Sequence, residues 1–292
     1  MQRLAWDFGK LVMVWIVLLL GQMVGGMLFF RGMPAFASDG PVDTGQALLI
    51  ASFVDALILT LLANAMRLRG WRLGLMLAGV LFCVQTAQSV VETIIFGRYV
   101  HMSMAMNLAI VLAALLRDAL VAGAIALAWR GNARSTPQPA IAGLGWKAPV
   151  VAVFYILCYF AAGHFIAWQS QAVRDYYDNV RQIDSALLIV FQFGRGLFWC
   201  GLAWLLVHHL AVGPWRTALL VGLAFSGFMI PDLLFPNPVM PWPVRAMHMV
   251  EVGISNLLFG IGAAWLLLNR RAKKIFARSR EDAKSDPGAK AT

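Results

Sequence analysis

The sequence predicts an all-α, polytopic integral membrane protein with eight transmembrane helices arranged as two parallel four-helix repeats. Three observations carry that prediction. Of the 292 residues, 60% are hydrophobic and only 13% are charged, about half the charged fraction that dresses a soluble domain. The apolar residues fall in blocks of about twenty, the length of helix that crosses a bilayer core. The two halves of the chain also resemble each other.

In chain order, spans are expected at 11–30, 46–66, 73–97, 103–129, 148–169, 185–209, 216–235 and 244–268. The first follows Arg3 and Lys10 and precedes Ala35-Phe36-Ala37, which resembles a signal-peptidase site. Its apolar run exceeds a usual signal core of about 7–15 residues, so it is expected to be retained. Arg67, Arg69 and Arg72 separate spans two and three; Arg130, Arg134 and Lys147 separate four and five; a dense basic cluster follows span eight. The other connections are acidic or mixed, with Asp39 and Asp43, then Asp175, Asp178 and Asp184 beside Arg174 and Arg181. By the positive-inside rule both termini are cytoplasmic, in a bacterial-type inner membrane. The net charge of +10 is thus spent on orientation in the lipid bilayer, and no nucleic-acid partner is implied. Cys83, Cys158 and Cys200 lie inside apolar blocks without the spacing of a disulfide framework or zinc site.

The duplication is read at a shift of about 140 residues. WDFGKLVMVW at 6–15 parallels WKAPVVAVFY at 146–155, and ALLIASF at 47–53 parallels ALLIVFQ at 186–192. Trp71-Arg72 likewise matches Trp215-Arg216. The expected units are a first repeat at 1–130, a cytoplasmic linker at 131–147, a second repeat at 148–269 and a basic tail at 270–292. An even number of spans gives both units the same orientation, with a pseudo-axis along the membrane normal.

Orientation converts sequence position into depth. Gln85, Gln88 and Glu92 fall in the outer half of span three at i, i+3 and i+7, on one helical face. His164 is near the outer end of span five, and His248 and Glu251 open span eight with Ser255 one turn deeper. Glu92, His164, His248, Glu251 and Ser255 therefore form the expected substrate- or ion-binding set. Asp55, Arg117, Asp118 and Arg195 lie near the midplane, and Asp55 and Arg195 occupy nearly equivalent positions, which suggests an ion pair between the halves. A charge at the helix centre costs about 2.5–3.5 kcal/mol, so such groups are paired or face a polar cavity. The competing reading makes them structural, locking helix packing. Arg245 is expected to reach the headgroups, and Asn256 to join helices.

Methionine gives a further signal. His101, Met102 and Met104 open span four, and Met247 and Met249 flank His248. Thioether and imidazole together suit Cu(I), although methionine also fills irregular packing. His164 and His248 could alternatively ligate haem b from two helices. The stretch LFPNPVMPWPVR, with Pro236, Pro238, Pro241 and Pro243, cannot be regular helix and is expected to cap the outer cluster.

These residues favour a binding or transport protein with a site open to the outer face, for a soft metal ion or small polar molecule. The alternative is an intramembrane enzyme using the same Glu and His residues, since a desolvated carboxyl serves as general acid or base. VVETIIFGR and FAAGH at 160–164 are similar to motifs of the CAAX-type intramembrane glutamic proteases, which would imply proteolysis. Val91 stands where that family has the first glutamate of its pair, and no HxxxN follows, so that activity is not adopted. No GxxxxGK[ST] occurs, which excludes an ATP-binding P-loop in this chain.

Overall fold

A computed structural model describes residues 2–32, 39–96, 102–131, 144–178, 185–236 and 240–268. Most of the linker, the basic tail and His101 lie outside the described residues. Eight stretches are long and apolar enough to cross a membrane, each overlapping one of the expected spans. They are α1 (Gln2–Phe29), α2 (Thr44–Ala65), α3 (Gly70–Leu81) continued by α4 (Gln88–Ile95), α5 (Met104–Ala128), α6 (Lys147–Phe165), α8 (Ser185–His209), α9 (Pro214–Gly227) and α10 (Trp242–Leu267). A short α7 (Gln171–Tyr177) lies in the connection after α6. Among the described residues there is no strand, only an isolated antiparallel bridge between Met66 and Leu210.

Local chemistry sets the helix ends. Asp43 Oδ1 accepts from Gln46 N at 2.8 Å while Gln46 Oε1 accepts from Asp43 N at 3.0 Å, a reciprocal capping box that starts α2. Ser103 caps α5 by accepting from Met106 N at 3.1 Å. At the C-terminus of α2, Arg69 Nη1 donates to the carbonyls of Met66 and Leu68 at 2.8 and 2.6 Å. Lys147 Nζ does the same for Leu266 and Leu267 at the end of α10, at 2.7 and 3.1 Å. Cations at these ends also oppose the negative pole of the helix.

Helix α1 packs on α2 and α5, and α5 on α3; in the other half α6 packs on α8 and α10, and α10 on α9. The halves meet where α2 touches α9 and the 3₁₀ turn Pro231–Leu234. Small residues allow close contact, as expected for helices in lipid. A Cβ on Gly74 would lie 2.2 Å from the Ala122 carbonyl oxygen, and one on Gly260 2.7 Å from Gly222 Cα. Trp199, Phe225, Phe259 and Tyr155 form an aromatic centre, with Trp199 and Phe225 centroids 4.5 Å apart. Leucines such as Leu57, Leu115, Leu157 and Leu258 are exposed on the outside of the bundle, where a bilayer would cover them.

Two spans lose α-helical regularity partway. Between α3 and α4 the chain makes a π-helical turn, Phe82–Ala87. Helix α9 stops after 14 residues, about 21 Å, short of the roughly 30 Å core. Pro231, which lacks an N–H, follows and opens the 3₁₀ turn.

Candidate functional site

Polar side chains gather in two places. The first is near the end of the bundle formed by residues 39–44, α7 and residues 240–245, called here the cap end. His248 sits between Tyr177 and Glu251, with Tyr177 Oη to Nε2 at 3.0 Å and Nδ1 to Glu251 Oε2 at 2.5 Å. Glu251 is buried, and burial raises the pKa of the Tyr177 hydroxyl, with Tyr176 and then Glu92 adding to the effect. Glu92 accepts from Arg195 Nη1 at 2.9 Å. Tyr159 lies within electrostatic reach of Glu92, Arg195 and Glu251, so the two pairs belong to one cluster. Gly163 on α6 faces the cluster: a Cβ there would stand in ordinary contact with Glu251 Oε1, at 3.8 Å.

Gln192, which the sequence did not single out, is wholly buried one helical turn from Arg195, and neither amide atom has a hydrogen-bond partner among the described residues. Arg195 Nε is also without one. A buried orphan amide costs about 1–3 kcal/mol, so in a native fold it calls for an explanation. For Tyr177 the sequence places only the segment: the amphipathic stretch 176–184 is expected beside the cap, but nothing local ties Tyr177 to a residue 71 positions away.

Several expectations change. His164 does not join the cluster: it is exposed, packs edge-on against Phe165 at 4.8 Å, and receives Gln169 Nε2 only on its backbone oxygen. The sequence fragments resembling the glutamic proteases are thus not brought together, since Glu92 pairs with Arg195 instead. Both ring nitrogens of His248 are engaged by Tyr177 and Glu251, which leaves none for the iron of a haem shared with His164. Ser255 is half-buried and donates weakly to Val252 O on its own helix at 3.4 Å. Met247 packs against the small buried cluster of Ala167, Val173 and Val244, and Met104 is 67% exposed. Met102 and Met249 are half-buried. Asn256 donates to the Met229 sulfur at 3.3 Å, a link between α10 and the segment after α9. No group of three or more His, Cys, Asp or Glu that could hold a metal ion is found among the described residues.

Arg245 is not a headgroup anchor. It is fully buried, holding Asp39 with Nη2 at 2.7 Å and Nη1 at 3.2 Å, Met240 O at 2.6 Å and Leu233 O at 3.1 Å. Trp242 N also donates to Asp39, at 2.8 Å. One guanidinium thereby straps the first connection to the segments on either side of residue 237. The physical reason is geometric: the flat fork satisfies several acceptors at once. Hydrogen bonding to Arg245 holds the Asp39 carboxyl below its ordinary 3.8. The strap's contribution is therefore complete above that value and is lost as pH falls through the lowered one. Acidification below about pH 4 is expected to change Trp242 fluorescence, and Asp39→Asn to remove that transition.

The second gathering lies halfway along the spans, where the halves meet. Gln85, on the π-helical turn, donates from Nε2 to Asp55 Oδ2 and to Phe228 O, both at 3.1 Å, and accepts from Arg117 Nη1. The Phe228 carbonyl is one of those left open where α9 ends. Arg117 Nε pairs with Asp118 Oδ1 at 2.8 Å. Asp232, also unforeseen, interacts electrostatically with Asp55, Arg117 and Asp118; a carboxylate after a mid-span proline was its only signal. The pair expected between Asp55 and Arg195 is not made, because each has a nearer partner within its own gathering. The shared face of Gln85 and Glu92 is also lost. The π-helical turn inserts between them, so Gln85 faces α2 and α5 while Glu92 faces α8.

The fold and site together define a multi-pass helical membrane protein with two buried polar gatherings. Comparison with family models, curated proteins and solved structures returned no match.

Proposed function

We propose that this chain is a binding or transport protein of the bacterial cytoplasmic membrane, with both termini in the cytoplasm and the cap end outward. Its site takes a small polar molecule carrying an amine. The observation that carries this reading is Gln192, wholly buried beside Arg195 with both amide atoms unpartnered among the described residues. Glu92 and Glu251 exceed the single Arg195 by one negative charge when His248 is neutral, and Tyr159 and Tyr177 stand beside them, aromatic groups of the kind that attract a cation. The basic residues at the opposite end, Arg67, Arg69 and Lys147, support the orientation.

The two-repeat arrangement belongs to the same proposal. Matching neighbours support it: first with second, first with fourth and third with fourth spans touch in both halves. Met66 and Leu210, which meet in the bridge, stand 144 positions apart, as do Trp71 and Trp215. Gln85 and Phe228, bonded to each other, are 143 apart, and each lies where its span becomes irregular.

Gln192→Met tests the reading before any substrate is identified. The ligand-free protein is expected to gain about 1–2 kcal/mol, because an apolar side chain relieves an unsatisfied amide. Stabilisation in thermal-shift screens against amino acids and polyamines, present in the wild type, is expected to vanish in Gln192→Met and Glu251→Gln. A less stable Gln192→Met protein, or shifts that survive both changes, would count against it. The hydroxyl, imidazole and carboxylate line of Tyr177, His248 and Glu251 also has the order of a proton-transfer relay. A covalent adduct on Tyr177 would favour the enzymatic reading.

A further inference from the structure

We propose that Asp55 is an exchangeable proton-binding site at the junction of the two halves, with Asp232 as the group that passes the proton to and from the surface. Charge is unbalanced at this junction. Three carboxylates, Asp55, Asp118 and Asp232, share one guanidinium, Arg117. Arg117 is committed to Asp118 through Nε at 2.8 Å. Asp55, at 0% exposure, has among the described residues only the neutral Gln85 as a hydrogen-bond partner. An ionised carboxyl without a counter-charge is the costliest group a membrane interior can hold.

The hydrogen bonds assign the proton to one atom. Arg117 has no acceptor, so the Gln85 oxygen must face it and the Gln85 NH₂ must face Asp55. Asp55 Oδ2 therefore accepts a hydrogen bond. The proton belongs on Oδ1, which is buried and has no partner among the described residues. Asp118 Oδ2 and Arg117 Nη2 are buried and unpartnered in the same way. A metal cation is the poorer occupant, because Arg117 repels it and the carboxylates do not converge as a ligand set.

The surroundings fit a site that loads and unloads. Around Asp55 stand Gln85 on the π-helical turn, Arg117 and Asp118 on α5, and Asp232 beyond the end of α9; these are the charged and hydrogen-bonding groups that face it. Three of these partners are buried, whereas Asp232, although set among buried charges, keeps accessible surface at the edge of the bundle. Interrupted helices at a repeat interface recur where membrane transporters hold coupling ions. The proton would be that ion here, and this last step alone rests on the transport reading.

Infrared difference spectroscopy on the full chain in lipid, with pH as the only variable, tests the site. A protonated-carboxyl C=O band is expected at neutral pH, shifting on deuteration and disappearing in Asp55→Asn. In Asp118→Asn, which releases Arg117 toward Asp55, it is expected to vanish at a lower pH, and in Asp232→Asn to exchange more slowly. Should Asp55→Asn fail to fold, Asp55→Glu is expected to move the band. A missing band, or one unchanged in the Asp55 variants, overturns the proposal. A band with no solute binding at Gln192 upholds the proton site and removes the transport reading; solute binding without a band overturns the site alone.

Discussion

Arg117→Leu is expected to destabilise the protein by about 3–5 kcal/mol, the cost of leaving a buried carboxylate without its partner. The substitution removes the ion pair to Asp118 and the donor to Gln85 in one step. Both lie where no solvent can substitute, with Arg117 and Asp118 only 5% and 4% exposed. The double variant Arg117→Leu with Asp118→Leu is expected to recover most of the loss, because a buried pair exchanged for apolar side chains is often neutral or better. Thermal unfolding in detergent measures both. If the double variant were as unstable as the single one, the damage would lie in packing and not in an orphaned charge.

Gly74→Leu carries the second large effect, a loss at the upper end of the roughly 1–3 kcal/mol seen for overpacking, or beyond it. Its Cβ would meet the Ala122 carbonyl oxygen at 2.2 Å. That atom belongs to backbone and cannot rotate away, so α3 and α5 must part. Gly260→Leu should behave alike, because its Cβ would stand 2.7 Å from Gly222 Cα and force α9 from α10. Gly79→Ala is the control: nothing lies within 4 Å of its Cβ. Helix propensity alone predicts a gain there of up to about 1 kcal/mol. Equal losses at Gly74 and Gly79 would show that contact distance is not what decides.

The contrast between these glycines shows where sequence stops being legible. Each of the eight spans can be read, because an apolar block announces itself by length alone. Asp43 with Gln46 and Ser103 before α5 are equally plain, since capping is local. The partner of Arg195 is not. Equivalent positions suggest Asp55, yet the π-helical turn at Phe82–Ala87 redirects Gln85 to Asp55 and leaves Glu92 for Arg195. A single extra residue per turn leaves no trace in a pattern of apolar residues. His164 misleads for a related reason: depth can be inferred from the span, but the direction of its side chain cannot. Arg245 resembles an anchor in sequence because its real partner, Asp39, is 206 positions away.

The bridge between Met66 and Leu210 has a mechanical meaning. It fastens the foot of α2 to the foot of α8 through Arg67 N to His209 O at 3.0 Å and Ala211 N to Ala65 O at 2.8 Å. Those two bonds join backbone to backbone, whereas the opposite end is held through the side chains of Arg245 and Asp39. A lever pinned at its foot has its largest travel at its tip. With the strap released, rocking of one half on the other would therefore pivot near Met66 and Leu210, and its amplitude would grow toward Gln192, His248 and the cap.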